Sequence, residues 1–461
     1  MALLNQHDLN HNDLFSNLQG NILKGHGRDF TNNIFIKFYG VKKDKVKEWI
    51  RAFADYKITS CKKQLKENEL YKRNKVSNNV FYGFLLSAKG YEYLEKSTDD
   101  FEDSFVNGME NAGLNDPDKK LWDEGFRGEL HAMILIGDDN REKLATETRA
   151  ILEQLYPLGD ITTIEYGNVI RNENNDGIEH FGYVDGVSQP LFFEDELEKY
   201  IEQNLGKNFL NLSKKDLTFD PSADKELVLV NDPLTNTKDA YGSYFVFRKL
   251  EQNVRKFKKD EKELANLLRL EDIERAGAMI VGRFEDGTPI QVSEEDGMIG
   301  SGAFNNFDFD NGGGKVGDNS KCPFHAHIRK SNPRANVPPD DNHKSHIMAR
   351  RGIPYGQQIA SKALDKDFHK LPEEGVGLLF MSFQKSIAYQ FEEIQKNWVN
   401  NPDFPVPNSG IDPIIGQDGN GNISIGKFPD ASKPLSFESS VTMKGGEYFF
   451  APSIPFLKTL K

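Results

Sequence analysis

Apolar and β-branched residues crowd residues 33–39 (Asn-Ile-Phe-Ile-Lys-Phe-Tyr), which predicts a strand. Val46, Trp49, Ile50 and Phe53 then recur at helical spacing, which predicts a helix over 46–53. The alternation repeats. Residues 79–86 predict a second strand, followed by a short helical stretch around Gly90 to Leu94. Residues 129–136 predict a third strand that stops at Gly137-Asp138-Asp139, ahead of a periodic helix over 141–155 and a strand over 161–166. A polar excursion fills residues 96–128. This order suits helices laid on one face of a mainly antiparallel sheet.

Residues 172–180 and 202–226 read as a loop and an irregular connector, after which a second set of elements begins. Residues 242–249 have strand character and 260–270 helical character, while 277–282 fit either a short strand or a helix end. A loop over 297–319 contains Gly312, Gly313 and Gly314. Further on, 376–383 predict a buried strand and 387–398 a helix. The similar order in the two sets leaves a divergent duplication open. A chain of 461 residues also exceeds what one core usually supports. The expected fold class is α+β, two ferredoxin-like domains over residues 1–220 and 221–461, each a mainly antiparallel sheet covered by helices.

With 37% hydrophobic and 28% charged residues the composition is that of a soluble globular protein. The net charge of -13 argues against nucleic acid and anionic membrane as partners. Two distant cysteines, Cys61 and Cys322, exclude a disulfide framework and a cysteine-rich metal site. The first residues show no basic segment leading into an apolar one, and no twenty-residue apolar run follows, so cytoplasmic residence is the default expectation.

Histidine is the side chain best suited to bind a metal or move a proton near neutral pH. His7, His11 and His369 sit in polar surroundings, and His131 lies in an apolar strand. The segment from Cys322 to Arg334 differs, because it places His325 and His327 two apart, on one face if extended. Metal ligation, a structural role and substrate binding all fit that pair. A zinc site would need a third ligand that no motif supplies. Arg350 and Arg351 precede a Gly/Pro turn, where a salt-bridged surface turn and an inward guanidinium that stabilises anionic oxygen both fit. Asp185 stands between Gly182 and Gly186, which suits either an Asx turn or close approach of the backbone to a flat ligand.

Taken in order, Gly182-x-x-Asp185-Gly186, Ala326-His327-Ile328-Arg329-x-x-Asn332-Pro333-Arg334 and Arg350-x-Gly352-x-Pro354-Tyr355-Gly356 resemble the dye-decolorising peroxidases, a haem peroxidase family. Gln19-Gly20-Asn21-Ile22-Leu23, Phe247-Arg248-Lys249-Leu250-x-Gln252, Gly377-Leu378-Leu379-Phe380, Gln390-Phe391 and Gly410-x-Asp412-Pro413 extend the resemblance over most of the chain. It implies haem b (iron protoporphyrin IX), bound chiefly by the second domain, with His327 as the axial ligand of the iron. It further implies Asp185 and Arg350 on the peroxide side, Arg329 among the cofactor contacts, Leu378 and Phe380 over the distal face, and Phe391 in the proximal wall. His325 offers a competing imidazole and Arg351 a competing guanidinium; the flanking motifs favour His327 and Arg350.

The implied activity is reduction of hydrogen peroxide with oxidation of aromatic or dye-like donors. A carboxylate at Asp185 would take a proton from peroxide and return it to the leaving oxygen. Carboxylates titrate at roughly 3.9, against roughly 6.5 for an imidazole, so an acidic optimum follows. His327 is expected to donate its second ring N–H to a carboxylate or carbonyl. Trp398, Tyr389 and Tyr355 are candidates to relay electrons from bulky donors, although core packing is the stronger explanation for them. A non-catalytic haem-binding or carrier protein is the alternative from another class.

Overall fold

The computed structural model describes residues 3–74, 79–205, 213–297, 305–309, 319–334, 343–357, 368–418, 422–425 and 435–461. The three expected loop glycines 312, 313 and 314 lie outside the described residues.

In the first half, β1 (Phe30–Phe38), β2 (Phe81–Leu86), β3 (Ala132–Asp138) and β4 (Gly159–Asn168) pair antiparallel in the order β2-β3-β1-β4. Helix α1 (Lys43–Tyr56) buries Val46, Ile50 and Phe53, the stripe that its spacing predicts. Helix α2 (Arg141–Leu155) starts where the Asn140 side chain accepts a hydrogen bond from Lys143 N (3.0 Å), and it buries Leu144, Thr148, Ile151 and Leu155. Both helices lie on the outward face of the sheet: Phe53 packs on Phe84 with ring centroids 6.1 Å apart, and Thr148 Oγ1 accepts from Asn32 Nδ2 (2.8 Å).

The second half repeats the plan. Here β5 (Tyr241–Gln252), β6 (Ile353–Tyr355), β7 (Gly377–Gln384) and β8 (Val441–Ala451) pair antiparallel in the order β6-β7-β5-β8. Helices α3 (Val254–Leu268) and α4 (Ile273–Val281) follow β5. The ambiguous 277–282 segment is therefore the end of a helix. It stops at Gly282, whose φ of +98° suits glycine and whose added Cβ would lie 2.3 Å from Ile328. The short α5 (His327–Ser331) packs near this stop, and the helix expected over 387–398 forms as two π-helical stretches, Ile387–Glu392 and Ile394–Val399. β8 was not predicted, and β6 lies inside the stretch read as a turn.

The strand order is the same in both halves, and the two sheets do not stay apart. β4 meets β6 at Gly167–Tyr355, and β8 meets β2 at Phe450–Leu86, so the eight strands close into one barrel. Each junction is made by one residue pair, which joins the edge of one half-sheet to the edge of the other. Alternation along each strand then sorts the side chains. Phe35, Phe247 and Phe449 meet inside the barrel, with Phe35 4.7 Å from Phe247 and 6.0 Å from Phe449. The even-numbered residues of β5 and β7 face outward. No helix among the described residues is long and apolar enough to cross a membrane.

Candidate active site

Because odd positions fill the barrel, β5 offers Arg248, Leu250 and Gln252 to its outer face, and β7 offers Leu378 and Phe380. Among the described residues no helix packs flat on this part of the sheet. The π-helical segment and α5 stand off from it, leaving a cavity that they close with Phe391, Ile394 and Gln395 from one and His327 and Ile328 from the other. Its walls are mostly apolar, with polar groups at a few points, the arrangement of a site built for a largely apolar ligand.

His327 is the first residue of α5, and its ring borders the cavity. Nδ1 lies 2.7 Å from Asp412 Oδ2, which leaves Nε2 as the nitrogen available to a ligand. Asp412 is fully buried, and its other oxygen accepts from Ile414 N (2.7 Å) and Ile415 N (3.0 Å). Burial alone would push the imidazole down, but the charge and hydrogen bond of Asp412 outweigh it and leave the His327 pKa raised. Burial would likewise raise Asp412, yet the His327 charge and the donated hydrogen bonds hold it below the usual carboxylate range.

His325 is placed elsewhere. The chain at Ala326 turns into α5, so the two histidines are not on an extended strand and share no face. His325 is buried and does not line the cavity, and burial, then the Lys330 charge, push its pKa down to about 3. The arginines separate in the same way. Arg350 borders the cavity, with its backbone N–H on Gln189 Oε1 (3.0 Å) and Nη2 on Ser188 O (3.2 Å). Arg351 turns back to Asn21 O (2.7 Å) and Ile22 O (2.8 Å), tying the Gln19–Leu23 motif to the barrel.

Asp185 sits on the cavity wall with Oδ1 4.0 Å from Arg350 Nη1 and accepting from Gly186 N (2.6 Å). The positive φ of Gly182 (+105°) and Gly186 (+77°) lets the loop present this side chain. Asn332 Nδ2 donates to Ser188 Oγ (3.2 Å), linking the end of α5 to the Asp185 loop. Both Arg350 and Asp185 influence the His327 charge. Leu378, Phe380 and Phe391 line the cavity, with the two phenylalanine rings 6.1 Å apart.

Arg329 is the one predicted site residue not brought to the cavity. Its guanidinium is fully buried behind α5, bonded to Cys322 O and set over the Phe324 and Phe309 rings at 4.3 and 4.9 Å. Several lining groups were not predicted, Arg283, Arg334 and Glu179 among them. Arg283 and Arg334 reach the cavity from a shared environment, where Asn305 Oδ1 accepts from both and the Phe307 ring lies under each. Burial pushes them down to about 10 and about 9. Glu179 accepts from the backbone N–H groups of Phe181 (2.8 Å) and Tyr183 (3.0 Å) at the start of the Asp185 loop, and burial pushes it up to about 7. Asp412 and Arg334 had a signal, their places in family motifs; Arg283 and Glu179 had none, since an isolated Glu or Arg carries no spacing to read.

The donor set fits a flat apolar cofactor with a metal centre and acidic substituents. It has one imidazole nitrogen facing an apolar slot and two buried guanidinium groups on the wall, one of which (Arg334) is bonded to neutral oxygens. Among the described residues no group of three or more His, Cys, Asp or Glu side chains could hold a metal ion by itself.

Two family models match the chain, DyP dimeric alpha+beta barrel domain over residues 17–166 and Dyp-type peroxidase, C-terminal, over residues 212–404. The multifunctional dye peroxidase DyP2 of Amycolatopsis sp. is 39% identical over 97% of this chain and 96% of its own. The dye-decolorizing peroxidase AauDyP1 of Auricularia auricula-judae is 31% identical over 77% of this chain and 71% of its own. In three dimensions the DyP-type peroxidase of Anabaena sp. superposes with a TM-score of 0.89 at 39% identity, covering 100% of this chain and 97% of that one. The chain belongs to the dye-decolorising (DyP-type) peroxidase family. It is an enzyme, an oxidoreductase of the peroxidase class.

Proposed function

We propose that the cavity would hold haem b through His327 Nε2, and that hydrogen peroxide is reduced there, with Asp185 as acid/base and Arg350 stabilising developing charge, while aromatic or dye-like donors supply the electrons and are oxidised. The observation that carries this reading is the convergence on one apolar cavity of an imidazole backed by a buried carboxylate and a carboxylate–guanidinium pair. When bound, haem supplies the redox chemistry, taking up the two oxidising equivalents of peroxide and passing them to the donor.

His327 keeps its Nδ1 proton on Asp412, which fixes the tautomer that leaves Nε2 free to coordinate and strengthens it as a donor. Asp185 accepts the proton of incoming peroxide and returns it to the oxygen that departs as water. Arg350 stabilises the negative charge that develops as the O–O bond breaks. Leu378 and Phe380 exclude bulk water from that side, and Phe391 completes the wall. Arg283 and Arg334 are the cationic groups suited to the propionate carboxylates of haem b. Arg329 acts from behind, by fixing the turn that presents His327.

Donors too bulky for the cavity would deliver electrons through aromatic side chains. Tyr389 is about half exposed, its ring lies 4.3 Å from His346, and His346 lies 5.1 Å from the buried Trp398. Tyr355 is mostly buried, beside Lys249 (5.1 Å). We place the boundary between the halves at residues 220/221, in the connector between β4 and β5.

The test is spectroscopic. Haem-loaded wild type and the His325→Ala variant should show a histidine-ligated ferric spectrum that one equivalent of peroxide converts to a high-valent form, with donor-dependent return. His327→Ala should lose that spectrum. Retention of it in His327→Ala would overturn the ligand assignment. Failure of the wild type to react with peroxide would overturn the proposed roles of Asp185 and Arg350.

A further inference from the structure

Lys330 lies three positions after His327 on α5 and is fully buried. Its ammonium group donates to Asn401 O (2.6 Å) and Phe404 O (2.5 Å) and sits 5.7 Å from the centre of the Phe404 ring. Phe404 in turn stacks on Trp398, with centroids 5.2 Å apart and planes within 4°. The turn gripped by Lys330 leads directly to Asp412, stitched by Gly410 N to Pro402 O (2.9 Å) and Asp412 N to Val399 O (2.9 Å). One short helix therefore carries His327 at its start and, at its fourth residue, a clamp on the loop that bears the His327 hydrogen-bond acceptor.

Burying an ammonium group is unfavourable unless it is well paired, and an apolar side chain would fill the same space without that cost. Burial pushes Lys330 down to about 7, opposed first by the charge of Asp412 and then by that of Asp403. The cation thus senses the carboxylate that backs His327, while its hydrogen bonds set where that carboxylate stands.

We propose that Lys330 is a positioning residue that holds Asp412 in register with His327 and so sets the donor strength of the axial imidazole. This rests on His327 being the haem ligand. With Lys330 in place, the 401–404 turn and α5 move as one unit, and the 2.7 Å contact between His327 and Asp412 is kept. Without it, the turn loses its tie to α5, the contact lengthens, and the imidazole becomes a weaker donor to iron.

The experiment uses the haem-loaded enzyme and compares Lys330→Met, Lys330→Gln, Asp412→Asn and the double variant Lys330→Met/Asp412→Asn. The readouts are the iron–imidazole stretching band of the ferrous form and the ferric/ferrous midpoint potential. Lys330→Met should move the band down and the potential up, in the same direction as Asp412→Asn but by less, with about a tenfold loss in the rate of reaction with peroxide. Lys330→Gln keeps a donor to one carbonyl and should fall between wild type and Lys330→Met, which also serves if the Met variant does not fold. The double variant should match Asp412→Asn alone. A wild-type band and potential in Lys330→Met or Lys330→Gln, or shifts that add in full to those of Asp412→Asn, would overturn the proposal. A histidine-ligated spectrum that survives His327→Ala would instead overturn the ligand reading, and this proposal with it.

Discussion

The two halves of the barrel have the same strand order but use their outer faces differently. On the first half, α1 and α2 lie flat on the sheet, and Trp49 and Phe53 pack on Phe84 with centroids 6.3 and 6.1 Å away. Asn32 is a polar residue on this face, bonded to Thr148. On the second half the covering segments stand off, and the matching face carries Arg248, Leu250, Gln252, Leu378 and Phe380 into a cavity. A cover pressed against a sheet yields stability, whereas the same sheet with its cover held away yields a site. The second half keeps its cover apart with polar ties. One is the Arg248–Asp116 ion pair, in which the guanidinium also lies over Phe391 (5.6 Å). Another is the bond from Gln417 Nε2 to Asp116 Oδ1 (2.7 Å). Asp116 belongs to the 96–128 excursion, so the first half contributes to closing the cavity of the second.

This contrast can be broken at either half. The largest effect is expected at the cavity: Asp185→Asn should slow the reaction with peroxide by about 10²- to 10⁴-fold in stopped-flow measurements and abolish the acid limb of its pH profile, while leaving thermal stability near wild type. Next, Phe84→Ala in the first half should cost about 3–5 kcal/mol in denaturant unfolding but leave the peroxide rate of the folded enzyme unchanged. A matching loss of rate would show that the helix-covered face of the first half-sheet is coupled to the chemistry. Asp412→Asn should give an intermediate result, about a 10- to 100-fold loss in activity or haem affinity together with a changed ferrous iron–imidazole band.

The smallest effect concerns acid stability of the first half. His131 Nδ1 accepts from Phe38 N (3.0 Å), which requires the neutral ring, and burial pushes its pKa down to about 4 from 6.5. The unfolded chain takes up this proton below pH 6.5 and the folded one only near 4, so stability is lost as pH falls across that window. The unfolding midpoint of wild type should therefore decline between pH 6.5 and 4. His131→Leu should remove part of that slope, and an unchanged slope would assign acid sensitivity to other groups.

The elements with strong periodicity were legible. Val46, Ile50 and Phe53 determined α1, and the helix over 141–155 matches its expected bounds. β6 was hidden because Ile353-Pro354-Tyr355 sits among glycines and a proline, and only pairing with β7 and β4 makes it a strand. β8 contains Lys444, Gly445, Gly446 and Glu447, a polar interruption that a register shift between Met443 and Gly445 accommodates. At the site, motif residues identified Asp185, Arg350 and His327, but the His325/His327 choice could not be made from a two-residue spacing. The conformation at Ala326 separates the two rings by ending the extended backbone that would have put both on one face, and of the two only His327 borders the cavity.

By itself, then, the sequence determined the α+β class, the repeated order of elements and, through ordered motifs, the family. These depend on local periodicity and on residue identity, which are written along the chain. Tertiary structure decided that the half-sheets close into one barrel, that Arg351 and Arg329 turn away from the cavity, and that Asp412 backs His327. Each of these joins residues far apart in sequence, and hydrogen bonding and burial select such partners only once the chain has folded.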